Sequence, residues 1–290
     1  MLALSKLFQV NSNYCMSCGM ALHHKSVSRQ FEIMSTKLSI NLSHICHSCQ
    51  KQLPWIEHIK CIKCGRAEAC MDCARLDKRE RDIVQVNRSA VTYSSLMRSW
   101  IRQFKYNGDY RLGYLMIEMM SLPIVQLLCG TEAADQVNTR PSKFGIIRPT
   151  SYRHARTFWH IVTSVPISRE RLIERGFNQS EFLAKHLARQ LQLPYVELLY
   201  RTSHAPRMSE LGRTERLKTV KTLFSCQPAG LQQAQSIVQD KRTRIHATPI
   251  RILLIDDVYT TGATVRACAE VIKSCFCCEV EIYSITFARS

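Results

Sequence analysis

The segment Arg251-Ile-Leu-Leu-Ile-Asp-Asp-Val-Tyr-Thr-Thr-Gly-Ala-Thr264 gathers groups that together can hold a phosphorylated sugar. Asp256 and Asp257 are adjacent carboxylates ending an apolar run. Carboxylates accept hydrogen bonds, so such a pair suits the diol of a ribose. Thr260, Thr261, Gly262, Ala263 and Thr264 follow directly as a hydroxyl- and glycine-bearing turn. The N–H groups and hydroxyls of such a turn can converge on a phosphate, and a helix starting there adds the favourable end of its dipole. One site is thus expected to grip a sugar by its hydroxyls and by its 5′-phosphate.

A second chemistry is written in the first quarter of the chain. Of 14 cysteines, eight form four Cys-x-x-Cys pairs: Cys15/Cys18, Cys46/Cys49, Cys61/Cys64 and Cys70/Cys73. Two thiolates spaced this way reach one metal ion, and two such knuckles complete a tetrahedral four-cysteine zinc site. The simplest scheme is sequential, with Cys15, Cys18, Cys46 and Cys49 on one zinc and Cys61, Cys64, Cys70 and Cys73 on the other. Spacing alone also permits a crossed scheme. Sites with four protein ligands leave no position for water, so both zinc ions are expected to be structural. Gly19 and Gly65 directly follow the second cysteine of their pairs, where a knuckle turns sharply.

These groups require particular elements to position them. The apolar run before Asp256 reads as a buried parallel strand, and Val265, Cys268, Ala269, Ile272 and Phe276 give the next segment a helical face. Parallel strands are expected at 161–166, 195–199, 252–256 and 280–285, with helices on both faces. After the first of these strands, Arg171 and Arg175 lie four residues apart before a helix, a spacing suited to two oxygens of a pyrophosphate. Leu96, Met97, Trp100, Ile101 and Phe104 share one face of a further helix, with Arg98, Arg102 and Lys105 on the other. Residues 74–90 are polar and charged and mark the expected boundary between a cysteine-rich domain, 1–80, and a larger domain, 81–290. Residues 130–158 read as a long loop or insertion.

Composition bounds the function. At 290 residues, 46% hydrophobic and 22% charged, the chain is long and apolar enough for one full domain and a small one. No apolar run approaches the ~20 residues that span a bilayer, so no membrane insertion is expected. The N-terminus lacks the pattern of a signal peptide, which makes a cytoplasmic location the expectation. The formal charge of +17 predicts attraction to polyphosphates or nucleic acid.

The acid–threonine–glycine run resembles the phosphoribosyl-pyrophosphate motif of type I phosphoribosyltransferases. Together with the zinc knuckles, the Trp100–Asp109 segment, Arg175-Gly-Phe-Asn-Gln179 and Arg213-x-x-Arg216, it resembles the ComF/GntX family. These are competence-associated, phosphoribosyltransferase-like proteins with an N-terminal double zinc ribbon. The likeness spans nearly the whole chain except 126–158 and 225–248. Ser168 stands where the family often carries histidine, and 206–219 lacks the family's glutamine and asparagine.

The resemblance implies an α/β type I phosphoribosyltransferase fold with a hood from about 91–120. It implies phosphoribosyl pyrophosphate bound with Mg²⁺ at Asp256, Asp257 and residues 260–264. It further implies handling of incoming single-stranded DNA during natural transformation, in partnership with a DNA-translocating helicase. Two other readings stay open: transfer of ribose 5-phosphate to a small nitrogenous acceptor, and sensing of phosphoribosyl pyrophosphate without turnover. No residue stands out as a general base.

Overall fold

The computed structural model of the chain describes residues 13–22, 28–34, 36–130, 155–202, 223–242 and 249–290. Its first part is an antiparallel hairpin, β1 (Ser28–Ile33) and β2 (Thr36–Asn41), with three short helices. Of these, α1 (His47–Lys51) and α2 (Met71–Ala74) start directly after Cys46 and Cys70. Helix α3 (Lys78–Ile83) is fixed by a capping box in which the Glu80 N–H donates to Asp77 Oδ1 at 2.7 Å.

The rest is an α/β architecture. Strand β3 (Asn87–Thr92) leads to helices α4 (Ser95–Tyr106), α5 (Tyr110–Met119) and α6 (Ser121–Cys129). Strand β4 (Ile161–Ser164) precedes α7 (Arg169–Arg175) and α8 (Gln179–Leu191). A small antiparallel pair, β5 (Leu199–Arg201) and β6 (Phe224–Cys226), is followed by α9 (Pro228–Arg242). Strand β7 (Ile250–Tyr259), helix α10 (Ala263–Cys275) and strand β8 (Val280–Arg289) complete the fold. The main sheet has the order β3-β8-β7-β4, and every pairing in it is parallel.

Side chains alternate across the central strands and so build two cores. Leu253, Ile255, Ile285 and Phe287 face one side, with Met97, Trp100, Phe104, Met116, Leu183 and Leu187 from the helices there. Ile252, Leu254 and Ile282 face the other, with Ala234, Val265 and Ile272. Helices therefore cover both faces, as the sequence predicts and as a type I phosphoribosyltransferase fold requires.

One strand expectation needs correction. The segment 195–199 is not a strand of the sheet. It makes a single parallel bridge, Val162 to Tyr195, and the chain then turns away to form the β5–β6 pair. Conversely, the edge strand β3 lies at the end of the polar stretch taken as a boundary. Its polar residues find partners in the fold: Ser89 Oγ lies 2.6 Å from Thr286 Oγ1, and Asn87 Nδ2 donates to the Cys64 carbonyl at 3.1 Å. Finally, Tyr110–Cys129 is a 20-residue helical stretch apolar enough to cross a membrane by length and composition. Arg111 and Glu118 interrupt its apolar run in the sequence. The protein buries 89% of its apolar window, so its hydrophobicity serves the core.

The cysteine-bearing segment packs tightly against this sheet. The Ile56 N–H donates to the Ala90 carbonyl and the Thr92 N–H to the Pro54 carbonyl, covering the outer edge of β3. Trp100 Nε1 donates to Ser17 Oγ at 3.1 Å, tying α4 to the first knuckle.

Candidate functional site

Asp256 and Asp257 lie within β7, three and two residues before its end, and both are buried. Asp256 Oδ1 accepts from Ser180 Oγ at 2.7 Å and from the Asp257 N–H at 2.9 Å. Burial first, and the neighbouring Asp257 carboxylate second, push the Asp256 carboxyl up to about 7. Asp257 is paired with Lys105, which reaches it from α4. The sequence placed Lys105 on a solvated helix face together with Arg98 and Arg102. Those two arginines are indeed exposed, but the structure turns Lys105 into the site.

The loop after β7 is held open by its glycine. Gly262 is the N-cap of α10 at φ 77°, and a Cβ there would collide with the Tyr259 hydroxyl. Arg266 Nη1 donates to the Thr261 carbonyl at 3.0 Å, and Thr261 Oγ1 lies 3.4 Å from the Ala263 N–H. Gly262 itself has no side chain to cap α10, so N–H groups of the first turn beyond Ala263 can donate to an anion. Thr260 and Thr261 are exposed, and Ala263 and Thr264 are half-buried.

The two arginines after β4 behave differently. Arg175 ends α7 and is engaged internally, with Nη1 donating to Gln179 Oε1 at 2.9 Å and Nη2 to the Tyr106 hydroxyl at 3.1 Å. The run Arg175-Gly-Phe-Asn-Gln179 is a joint between helices. Gly176 takes the left-handed conformation at φ 75°, and Phe177 packs against Phe104. Asn178 caps α8 and donates through Nδ2 to the Val165 carbonyl at 3.1 Å. Arg171 is exposed on α7 and close enough to Arg201 for the two charges to repel. Burial lowers the Arg201 pKa, and the Arg171 charge lowers it further.

The cysteines assemble in the sequential scheme. Cys15, Cys18, Cys46 and Cys49 bring their sulfurs within 4.8 Å of one another, and so do Cys61, Cys64, Cys70 and Cys73. Zinc–thiolate bonds of ~2.3 Å in a tetrahedron set sulfurs roughly 3.8 Å apart, so both sets fit a metal ion. Cys18 and Cys46, for example, are 3.7 Å apart. Burial opposes ionisation of Cys15, but N–H donors led by that of Cys46 outweigh it and bring the thiol down to about 7. Cys70 is likewise brought to about 7, with the Cys73 N–H as the main opponent of burial. Burial pushes Cys49 up to about 12. A bound cation would favour the thiolate at each of these positions. His47 is exposed and His44 half-buried, and neither belongs to a ligand set. His23 and His24 lie outside the described residues.

Comparison with known proteins finds competence proteins. Competence protein ComFC of Bacillus subtilis (strain 168) is 29% identical over 233 residues, covering 78% of this chain and 76% of that protein. Competence protein ComFC of Streptococcus pneumoniae is 23% identical over 244 residues, covering 84% and 87%. Competence protein F of Haemophilus influenzae is 21% identical over 257 residues, covering 87% and 93%. The chain is thus similar, over more than three quarters of its length, to competence proteins ComFC and F. No family model matches it.

Four groups escape the sequence reading: Ser180 and Lys105 on the acids, Arg201, whose charge Arg171 feels, and Arg289 on the Tyr259 and Thr260 carbonyls. None stands in a local pattern with the residues it joins, because each arrives from a different element. The only advance signal was periodic: Lys105 sits four residues beyond Ile101, on the rim of the apolar face. The segment carrying Arg213 and Arg216, and the departures at 206–219, lie outside the described residues.

Proposed function

We propose that this chain binds phosphoribosyl pyrophosphate, or a related ribose phosphate, at the end of β7 and acts in the handling of single-stranded DNA during natural transformation. The observation that carries the reading is the junction of β7 and α10. Two buried acids lie near the end of the strand, and Gly262 opens a helix N-terminus within the next few residues. The acids would accept from the ribose diol, while Thr260–Thr264 would donate N–H groups and hydroxyls to the 5′-phosphate. Arg171, exposed on α7, would meet the pyrophosphate together with Arg175, whose Nη groups Gln179 and Tyr106 now hold. Mg²⁺, when bound with the ligand, would neutralise pyrophosphate charge. Lys105 holds Asp257 and would exchange that contact for ligand oxygens or keep both.

The names of the relatives support a role in competence. Single-stranded DNA suits the +17 charge and the exposed Arg98, Arg102 and Tyr106 of α4. Trp100 is fully buried and offers no stacking face. In this reading the protein works in the cytoplasm beside a DNA-translocating helicase, and zinc fills the two tetrads.

Calorimetric titration with phosphoribosyl pyrophosphate and Mg²⁺, with and without single-stranded DNA, tests the binding. Heat of binding and a shared complex are expected; the absence of binding would refute the reading. Pyrophosphate released only when a nitrogenous acceptor is added would instead establish a transferase.

A further inference from the structure

Arg289 closes β8 and is 2% exposed, and among the described residues no side-chain carboxylate pairs with it. Its guanidinium is divided between two structures. Nη2 points at the second cysteine tetrad, 3.6 Å from Cys64 Sγ and 3.8 Å from Cys70 Sγ, so it meets one sulfur from each knuckle. Nη1 donates to the carbonyls of Tyr259, Thr260 and Ser290. The Tyr259 ring lies against the guanidinium, 4.8 Å from Cζ to the ring centroid. Tyr259 and Thr260 are the residues through which β7 enters the loop that begins α10.

The knuckle adds a second link at the same place. Arg66 follows Gly65 and donates through Nη2 to the Ser290 carbonyl at 2.8 Å, and the Ser290 N–H donates to the Tyr259 carbonyl at 3.0 Å. Arg266, whose Nη1 holds the Thr261 carbonyl, lines with Tyr259, Lys63 and Cys73 the small cavity between tetrad and loop. The entrance to the loop therefore rests directly on the tetrad.

A buried guanidinium without a counter-charge is strongly destabilising. Four thiolates around a divalent ion carry a net charge of −2, and sulfur in such a site accepts charge-assisted hydrogen bonds from its surroundings. The filled tetrad is thus an anion against which Nη2 of Arg289 rests. If the ion leaves and the thiols take up protons, the guanidinium loses that anion, and its hold on the Tyr259 and Thr260 carbonyls loses its anchor. Among the described residues the first tetrad has no such arm, and its link to the site runs through Ser17, Trp100 and the body of α4.

We propose that Arg289 is a positioning residue through which the second cysteine tetrad, when filled with metal, sets the affinity of the 260–264 loop for a sugar phosphate. The inference rests on the ribose-phosphate reading of that loop. It makes the tetrad part of the ligand site's machinery as well as a clasp for the chain. It also requires reciprocity: ligand on the loop tightens the second tetrad's metal by the factor by which that metal tightens the ligand.

The test uses the full-length, zinc-loaded protein and ribose 5-phosphate, which carries the diol and phosphate but no pyrophosphate to chelate zinc. In wild-type protein, zinc is withdrawn with increasing chelator, with and without saturating ribose 5-phosphate, and freed thiols are alkylated and located by mass spectrometry. The expected result is that ligand raises the affinity of the Cys61–Cys73 set for its ion by about five- to tenfold and leaves the Cys15–Cys49 set within about twofold. Arg289→Met should weaken ribose 5-phosphate binding by about the same factor while retaining both ions, and Arg289→Lys should recover part of the loss.

Equal protection of both sets, or protection of neither while ribose 5-phosphate binds, overturns the inference and leaves the loop's function intact. So does an Arg289→Met protein that keeps its metal and wild-type affinity. Should Arg289→Met fail to fold, the wild-type chelator titration decides by itself. Wild-type protein that binds no sugar phosphate at all overturns the site reading, and this inference with it.

Discussion

Asp256→Asn tests the electrostatics of the site most sharply, because it should stabilise the fold while damaging the function. The carboxyl is held by Ser180 and by the Asp257 N–H, and both bonds end on Oδ1, which asparagine keeps. Burial and the Asp257 charge raise its pKa from 3.8 to about 7. Between those two pH values the native state keeps a proton that the unfolded chain has already released. The wild-type protein therefore loses stability as pH rises through this window and levels off above it. A shift of that size corresponds to about 4 kcal/mol if nothing relaxes. Lys105 and local movement will soften the charge, so about 1–3 kcal/mol is the expected effect. Urea unfolding of the zinc-loaded wild type and variant should show a stability difference that grows by this amount, in the variant's favour, between about pH 5 and pH 8. Using the difference removes thiol and histidine effects common to both proteins. Parallel pH profiles for the two proteins would refute the claim that Asp256 is ionised at a cost.

Other expectations follow from single features. Gly262→Ala places a Cβ against the Tyr259 hydroxyl at a left-handed φ, so it should cost about 1–3 kcal/mol in sugar-phosphate binding or loop stability, read by calorimetry and amide exchange at 259–264. Metal analysis should find two zinc ions per chain, falling to one in Cys61→Ser/Cys64→Ser; a single ion in the wild type would contradict the two-tetrad assignment. Single-stranded DNA should bind with little sequence preference and weaken steeply with salt, and Arg98→Ala/Arg102→Ala should lower the salt slope by about one to two. An unchanged slope would remove α4 from the DNA surface.

Much of the chemistry was legible because it is local. Asp256, Asp257 and the 260–264 turn are neighbours in sequence, and a strand, turn and helix suffice to bring them together. Cysteine pairs at a spacing of two residues likewise announce a metal, although which pairs join is a tertiary fact that the fold decides in favour of the sequential order. What stayed hidden depends on encounters between distant elements. The strand Asn87–Thr92 looks too polar for a sheet because its partners, Cys64 and Thr286, lie far away in sequence. Lys105 was correctly placed on a polar helix face, but a polar face beside two acids is part of a site rather than a solvated surface. Periodicity has no means of distinguishing them. Arg175 has the spacing of a ligand grip; Gln179 and Tyr106 hold its Nη groups, encounters the spacing does not announce.

The central claim is that the end of β7 and the start of α10 bind a ribose phosphate. It is tested most directly by titrating wild-type protein and the Asp256→Ala/Asp257→Ala variant with phosphoribosyl pyrophosphate and Mg²⁺, after circular dichroism has established that both are folded. Removing both diol acceptors should weaken binding by about 2–4 kcal/mol, the usual worth of charged hydrogen bonds. Equal affinity in the two proteins would mean that the acids merely end a strand and that the ligand, if any, binds elsewhere.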